Sequence, residues 1–299
     1  NGCWQLSEGH SLTSPIDFDD VTRAFFELTE RGFTTFDCGD IYTGVEEFLG
    51  TFVEKLKAGQ GAVSADEIQI HTKYVPDLDI LADVDFAHTE AIIDRSLRRL
   101  HRGTLDLVPV PLGDYDVPGY VETALDLAEL QRRGKIRNIG VTNFDASHLK
   151  EIVDAGVNVF RAKASIRLFD RRPETACLPI AKAPVFRMCA TARLRAVFWD
   201  QSGAASSVRF PRRARRLKLA GAGGLRGWEG YQKLLALLTE IAGHYGVQPS
   251  HIATKYILGQ PSVACAIIGV RNSRHVDDNC MIFEFELTAE DEAAITAFL

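Results

Sequence analysis

A closed (β/α)8 barrel, the TIM barrel of the α/β class, is the fold that the sequence predicts, and three observations predict it. Short apolar runs alternate with segments of helical periodicity from one end of the chain to the other. Repeated strand–helix pairs imply a parallel sheet with crossover helices. Eight such repeats fit within 299 residues, and no second composition block interrupts them. Residues 1–299 therefore read as a single barrel domain. An open doubly wound sheet is the alternative arrangement of the same repeats.

The elements follow in order. Gly2 to Leu6 is a first apolar run, and Asp17 to Arg31 carries Val21, Ala24, Phe25 and Leu28 at helical spacing. Thr34 to Phe36 is strand-like, Val45 to Lys57 helical, and Ile68 to Thr72 alternates as a strand should. Phe86 to Leu100 is helical through Ile92, Ile93, Ser96 and Leu97. Leu105 to Leu112 is the next apolar run despite two prolines, and a helix from Gly119 to Gly134 has Pro118 at its start. Ile136 to Val141 is a strand, Ala146 to Val153 a helix, and Phe160 to Ile166 a weaker strand before a helix opened by Pro173. Val185 to Ala190 supplies a seventh strand. Helices over Glu229 to Tyr245 and Ser250 to Leu258 then precede a last strand, Ala264 to Val270, a short helix and a final helix from Thr288.

Composition narrows the function classes. Hydrophobic residues make up 46% and charged residues 25%, which excludes collagen-like and wholly disordered chains. No apolar run approaches the roughly 18–20 residues of a spanning helix, so the chain is expected to be soluble, with no transmembrane segment. A net charge of −6 gives no general attraction to nucleic acid or anionic lipid. The six cysteines form no CxxC pair and no metal-ligand spacing, so no metal site is expected. They read as free thiols in a reducing compartment, either cytoplasm or an organelle stroma or matrix. The chain opens without Met and without a charged-then-apolar leader, which reads as a processed or later-starting sequence.

In a barrel of this kind the chemistry gathers where strands end. Asp37 ends the second strand and Tyr42 lies five residues further on. Lys73 ends the third, Thr142 and Asn143 the fifth, and Arg271 follows Gly269 at the eighth. An ammonium beside a phenol favours phenolate and lowers the phenol pKa from about 10. A carboxylate beside that ammonium keeps it charged and in place. Asp, Lys and Tyr together thus form a general acid suited to carbonyl reduction by hydride. Each residue also has a plainer reading: Tyr42 as packing at a helix start, Lys73 as a solvated strand end, Thr142–Asn143 as a helix cap. Cys38 lies beside Asp37, with no base to make it a nucleophile. His71 reads as core packing, the other histidines show no ligand spacing, and Trp4 and Tyr74 are candidate pocket walls.

These residues sit in longer runs. Phe36-Asp37-Cys38-Gly39-Asp40-Ile41-Tyr42-Thr43-Gly44-Val45-Glu46 with Leu49-Gly50 resembles the aldo-keto reductase superfamily. So do Leu105-Asp106-Leu107-Val108, Ile139-Gly140-Val141-Thr142-Asn143-Phe144, Asp170-Arg171-Arg172-Pro173, and Gly269-Val270-Arg271 with Asn279. The resemblance implies a (β/α)8 barrel and NADPH-dependent carbonyl reduction. It implies Tyr42 as proton donor, Lys73 as its partner and Asp37 as the residue orienting Lys73. Thr142 and Asn143 would hold the nicotinamide amide, with Lys163 at the position of the family's glutamine. Gly269, Arg271, His275, Asp278 and Asn279 would take the phosphate and adenine end of NADP(H).

The chain departs from that pattern at several points. Pro111 stands where the family has a histidine that polarises the substrate carbonyl, and proline offers no donor at all. Lys163 replaces a glutamine, Ala190 falls near the stacking aromatic, and no pyrophosphate loop follows Thr191. Residues 185–228 instead hold ten Arg or Lys against Asp200, a local charge of +9 that leaves −15 for the rest. Three readings fit this stretch: a basic loop docking an acidic partner, RNA or membrane surface, a charge-only phosphate contact, or a shifted reading frame. Gly221 to Gly227 fails as a dinucleotide fingerprint because Arg226 takes the last glycine's place. The expected function is an NADPH-dependent carbonyl oxidoreductase acting on a small-molecule substrate, impaired by these losses. The alternative is an inactive barrel serving as a structural or regulatory subunit, with the basic stretch as its protein-docking surface.

Overall fold

Capping and apolar spacing place the helices. The computed structural model describes residues 1–8, 15–76, 84–110, 119–142, 144–164, 187–190, 227–261 and 263–299. Helix α1 (Phe18–Glu30) starts where the Asp17 carboxylate accepts from the N–H groups of Asp19 and Asp20. Helix α2 (Val45–Lys57) follows Gly44, whose φ of 79° would strain any side chain. Asp85 caps α3 (Phe86–Arg99), and α4 (Tyr120–Arg132) follows Gly119. Asp145 caps α5 (Ala146–Asp154), and α6 (Gly227–Tyr245) comes after residues outside the described set. Helices α7 (Pro249–Leu258), α8 (Arg274–Cys280) and α9 (Ala289–Phe298) complete the chain, the last capped by Thr288.

Among the described residues every strand pairing is parallel. Strands β1 (Thr35–Asp37) and β2 (Gln69–His71) form one ladder. A second runs in chain order through β3 (Val108–Val110), β4 (Ile139–Thr142), β5 (Val159–Ala164), β6 (Arg187–Ala190) and β7 (Val263–Ala266). The architecture is thus α/β with parallel strands, in two ladders where the sequence predicted one closed ring. Single parallel bridges lie between them, from Gly2 to Asp37 and Gly269 and from His71 to Leu107. The first expected strand is absent for a local reason: Leu6 N–H bonds back to the Cys3 carbonyl at 3.0 Å, and Trp4–Leu6 winds into a 3-10 turn. Within the apolar run from Leu105 the strand begins at Val108, with Leu105 and Leu107 making isolated bridges. Proline at 109 lacks the N–H that a ladder on both sides requires.

The core seats the strand that carries Asp37. Phe25 of α1, Phe36 of β1 and Phe52 of α2 are almost fully buried, with ring centroids 4.6–5.6 Å apart. Among the described residues no disulfide joins Cys3, Cys38, Cys189, Cys265 or Cys280. Among them also, no helix is long and apolar enough to cross a membrane, and no group of three His, Cys, Asp or Glu could hold a metal ion. Pro111, Asn143, Cys177, the Asp170–Pro173 run and the helix after it, Gly221–Arg226 and most of the basic stretch lie outside the described residues.

Candidate active site

Asp37 is the last residue of β1, and Lys73 lies two residues past the end of β2. Parallel pairing in register, Asp37 opposite His71, sets both at the same ends of neighbouring strands. A tight turn brings Tyr42 back to them. Tyr42 N–H bonds to the Gly39 carbonyl at 2.9 Å, and Val45 N–H then bonds to the Tyr42 carbonyl at 3.0 Å as α2 begins. The turn is also tied to the neighbouring strand end, through Cys38 N–H to the His71 carbonyl at 2.8 Å and Asp40 N–H to the Lys73 carbonyl at 3.1 Å.

The Lys73 ammonium spends its three donors here. It donates to Asp37 Oδ1 at 2.9 Å, to the Cys38 carbonyl at 2.8 Å and to the Tyr42 hydroxyl at 3.1 Å. Because Lys73 donates to the phenol oxygen, the phenol proton is not used in that contact. Asp37 and Lys73 are mostly buried, with side chains 11% and 15% exposed, so their attraction is little screened. Burial opposes the Lys73 charge, yet Asp37 and Tyr42 outweigh it and hold the ammonium above the usual lysine value.

Tyr42 corrects one expectation. Burial pushes its pKa above the usual 10, and the Lys73 charge and hydrogen bond pull against that without cancelling it. The phenol stays a neutral donor at neutral pH, with its pKa raised where the sequence suggested a lowered one. Burial likewise pushes the Cys38 thiol well up, which leaves it unreactive as a nucleophile.

Thr142, at the end of β4, has its hydroxyl oxygen buried with no hydrogen-bond partner among the described residues. Lys163 stands opposite Thr142 in the β4–β5 register and opposite Cys189 in the next. Gly269 bridges Gly2, and Arg271 follows the buried Val270, partly exposed. His275, Asp278 and Asn279 all lie on α8, a few residues after Arg271. His275 is exposed on α8, and the Asp278 carboxylate lies 3.2 Å from the buried His251 Nε2. Asn279 lines a cavity of about 270 Å³ with Asn1, Phe33, Thr35, Cys265 and Phe283. Tyr74 is buried, with its hydroxyl 3.3 Å from that of Thr89.

Sequence reasoning missed the buried polar cluster behind the turn. Glu46 accepts from Thr72 Oγ1 at 2.7 Å and faces Arg99 at 3.5 Å, while Arg95 reaches Asp40 at 3.5 Å. The available signal was Arg95 and Arg99 at helical spacing on α3, facing two acids of the Asp37–Glu46 run.

Comparisons with known proteins bear on the family and the fold. A family model described as the Aldo/keto reductase family matches residues 1–299. The methylglyoxal reductase DkgA of Escherichia coli O157:H7 is 31% identical over 157 residues, 51% of this chain and 47% of its own length. The match thus spans about half of that relative. The glycerol dehydrogenase AKR11B4 from Gluconobacter oxydans superposes with a TM-score of 0.78 at 23% identity, covering 100% of this chain and 90% of its own. An aldo/keto reductase from Klebsiella pneumoniae, solved in complex with NADP and acetate, gives a TM-score of 0.70 at 21% identity, covering 99% and 89%. At these identities the solved structures show a shared fold. The family model runs the length of the chain, and the chain therefore belongs to the aldo/keto reductase family.

Proposed function

We propose that the protein is an NADP(H)-dependent oxidoreductase that reduces the carbonyl of a small molecule, with Tyr42 as proton donor. The observation that carries this reading is the Lys73 ammonium held between Asp37 and the Tyr42 hydroxyl at 2.9 and 3.1 Å. The reading includes one barrel of eight strand–helix units; the single bridges at Gly2 and His71, which lie between the two ladders, support it. The relatives' names, a methylglyoxal reductase and a glycerol dehydrogenase, support carbonyl–alcohol chemistry.

The described residues offer the cofactor a fitting group at each end. A buried hydroxyl without a partner, Thr142 Oγ1, suits an amide ligand, and Arg271 offers a cation for a phosphate. NADPH, when bound, supplies the hydride. Asp37 fixes the Lys73 ammonium, and Lys73 fixes the phenol oxygen of Tyr42. The phenol proton is then donated to the carbonyl oxygen as charge develops there. With Pro111 in place of an imidazole, the second donor to that oxygen is missing, and turnover is lowered on the order of 10²–10³ by analogy with other lost oxyanion donors. The second reading, a barrel without turnover, is favoured by Pro111, by Lys163 in place of a glutamine and by the lack of a pyrophosphate-loop pattern after Thr191.

Titration of the full chain with NADPH tests the choice. Saturable micromolar binding with carbonyl-dependent oxidation of NADPH is the expected result, and Tyr42→Phe should keep the binding while losing the oxidation. No binding up to millimolar NADPH would overturn the reading. Thr142→Val removes the hydroxyl at nearly constant volume. It is expected to weaken NADPH binding about two- to tenfold, the worth of one net hydrogen bond, and to leave thermal stability unchanged or slightly raised. An unchanged Kd would take Thr142 out of the cofactor site.

A further inference from the structure

Asp40 lies between the two catalytic strand ends and has no role in the chemistry described above. Its side chain is 1% exposed, and its backbone N–H bonds to the Lys73 carbonyl at 3.1 Å. The backbone N–H groups of Val75, two residues past Lys73, and of Ile41, beside Tyr42, favour the charged form of its carboxyl. Arg95 reaches Asp40 Oδ2 at 3.5 Å from α3, while Oδ1 is buried with no partner among the described residues. The charged and titratable groups around it are Glu46 of α2, Arg95 and Arg99 of α3, and Tyr74 beyond β2.

We propose that Asp40 is a positioning residue whose protonation state sets how tightly the Tyr42 turn is tied to the chain that carries Lys73. The idea rests on the reading of Tyr42 and Lys73 as the catalytic pair. An ionised Asp40 draws in two backbone amides and Arg95, so the turn and the strand end are held as one unit. A proton on the carboxyl weakens those contacts. Two features favour taking it up: the orphaned oxygen costs the charged form its solvation, and the Glu46 charge repels it. Burial first, then Glu46, raise the Asp40 pKa to about 7, so the switch falls at neutral pH.

The test follows Tyr42 directly. The chain holds seven tyrosines; labelled with 13C at the ring carbon bearing the hydroxyl, it yields a Tyr42 resonance identified by its loss in Tyr42→Phe. In the wild-type chain that resonance should shift with a midpoint at about pH 7. In Asp40→Asn the step should vanish, and in Glu46→Gln it should move to lower pH, because a repelling charge is gone. A merely structural Asp40 would give no step in any of them. A flat Tyr42 resonance through neutral pH in the wild type, or a step that survives Asp40→Asn, overturns the proposal. Where Asp40→Asn fails to fold, the Glu46→Gln displacement decides. The same pH series read as carbonyl-dependent NADPH oxidation should show kcat rising through the same midpoint with KM unchanged. A wild-type chain that binds no NADPH and turns over at no pH sinks the reductase reading, while the resonance still decides whether Asp40 positions the turn.

Discussion

Lys73→Met is expected to lower carbonyl reduction on the order of 10²–10⁴-fold, the usual worth of a positioned proton-transfer group. It is also expected to destabilise the fold by about 3–5 kcal/mol. The stability loss follows from Asp37, whose side chain is 11% exposed and would be left buried without its counter-charge. Asp37→Asn in the Lys73→Met background removes that charge and should recover most of the stability and none of the activity. Thermal unfolding and steady-state rates on the three chains check this. A Lys73→Met chain as stable as wild type would mean the pair is solvated. The pH dependence has a definite sign. Lys73's folded pKa is raised, so its share of stability is present at and below neutral pH and is lost only in strong alkali, as pH climbs through the folded value. Tyr42 is raised as well, so the phenol remains a donor through neutral pH. Its ionisation should not limit reduction until the pH passes 10.

Gly50→Ala should destabilise the protein strongly, although alanine is the better helix former. Propensity alone favours the substitution by about 1 kcal/mol in a helix interior. Packing opposes it, because a Cβ on Gly50 would lie 2.0 Å from the Arg99 carbonyl oxygen and 3.0 Å from the His101 ring. The first obstacle is backbone, so it cannot swing aside as a flexible side chain does. Helix α2 would have to move away from the end of α3, at the cost of about 1–3 kcal/mol or more typical of overpacking. Packing wins. That contact also places Arg99 against Glu46 and Glu47 at 3.5 and 2.9 Å, so the displacement should reach the Tyr42 turn and lower turnover as well. Urea unfolding of Gly50→Ala is the measurement, and a gain in stability would refute the close crossing of α2 and α3.

The helices were legible because capping and apolar spacing are local. Val45–Lys57 is the helix its periodicity marks, and Asp17, Asp85 and Asp145 stand where side chains accept the first amides. Strand lengths were not legible, because a ladder lasts only as far as its partner follows it. Gly2–Leu6 is as apolar as a strand, but after one bridge on each side the chain turns. The Asp37, Tyr42 and Lys73 triad was readable from residue type and spacing, since charge complementarity needs only proximity.

By itself, the sequence determined the alternation of elements, the family pattern and the grouping of Asp37, Tyr42 and Lys73. Their energetics were decided by the tertiary structure. A lysine beside a tyrosine lowers the phenol pKa in water, but burial is a property of the packed chain, and at Tyr42 it outweighs the lysine. Asp40 is an ordinary acid in the sequence. It acquires a pKa of about 7 because residues from α2, α3 and the end of β2 close over it, and no local pattern encodes desolvation by distant neighbours.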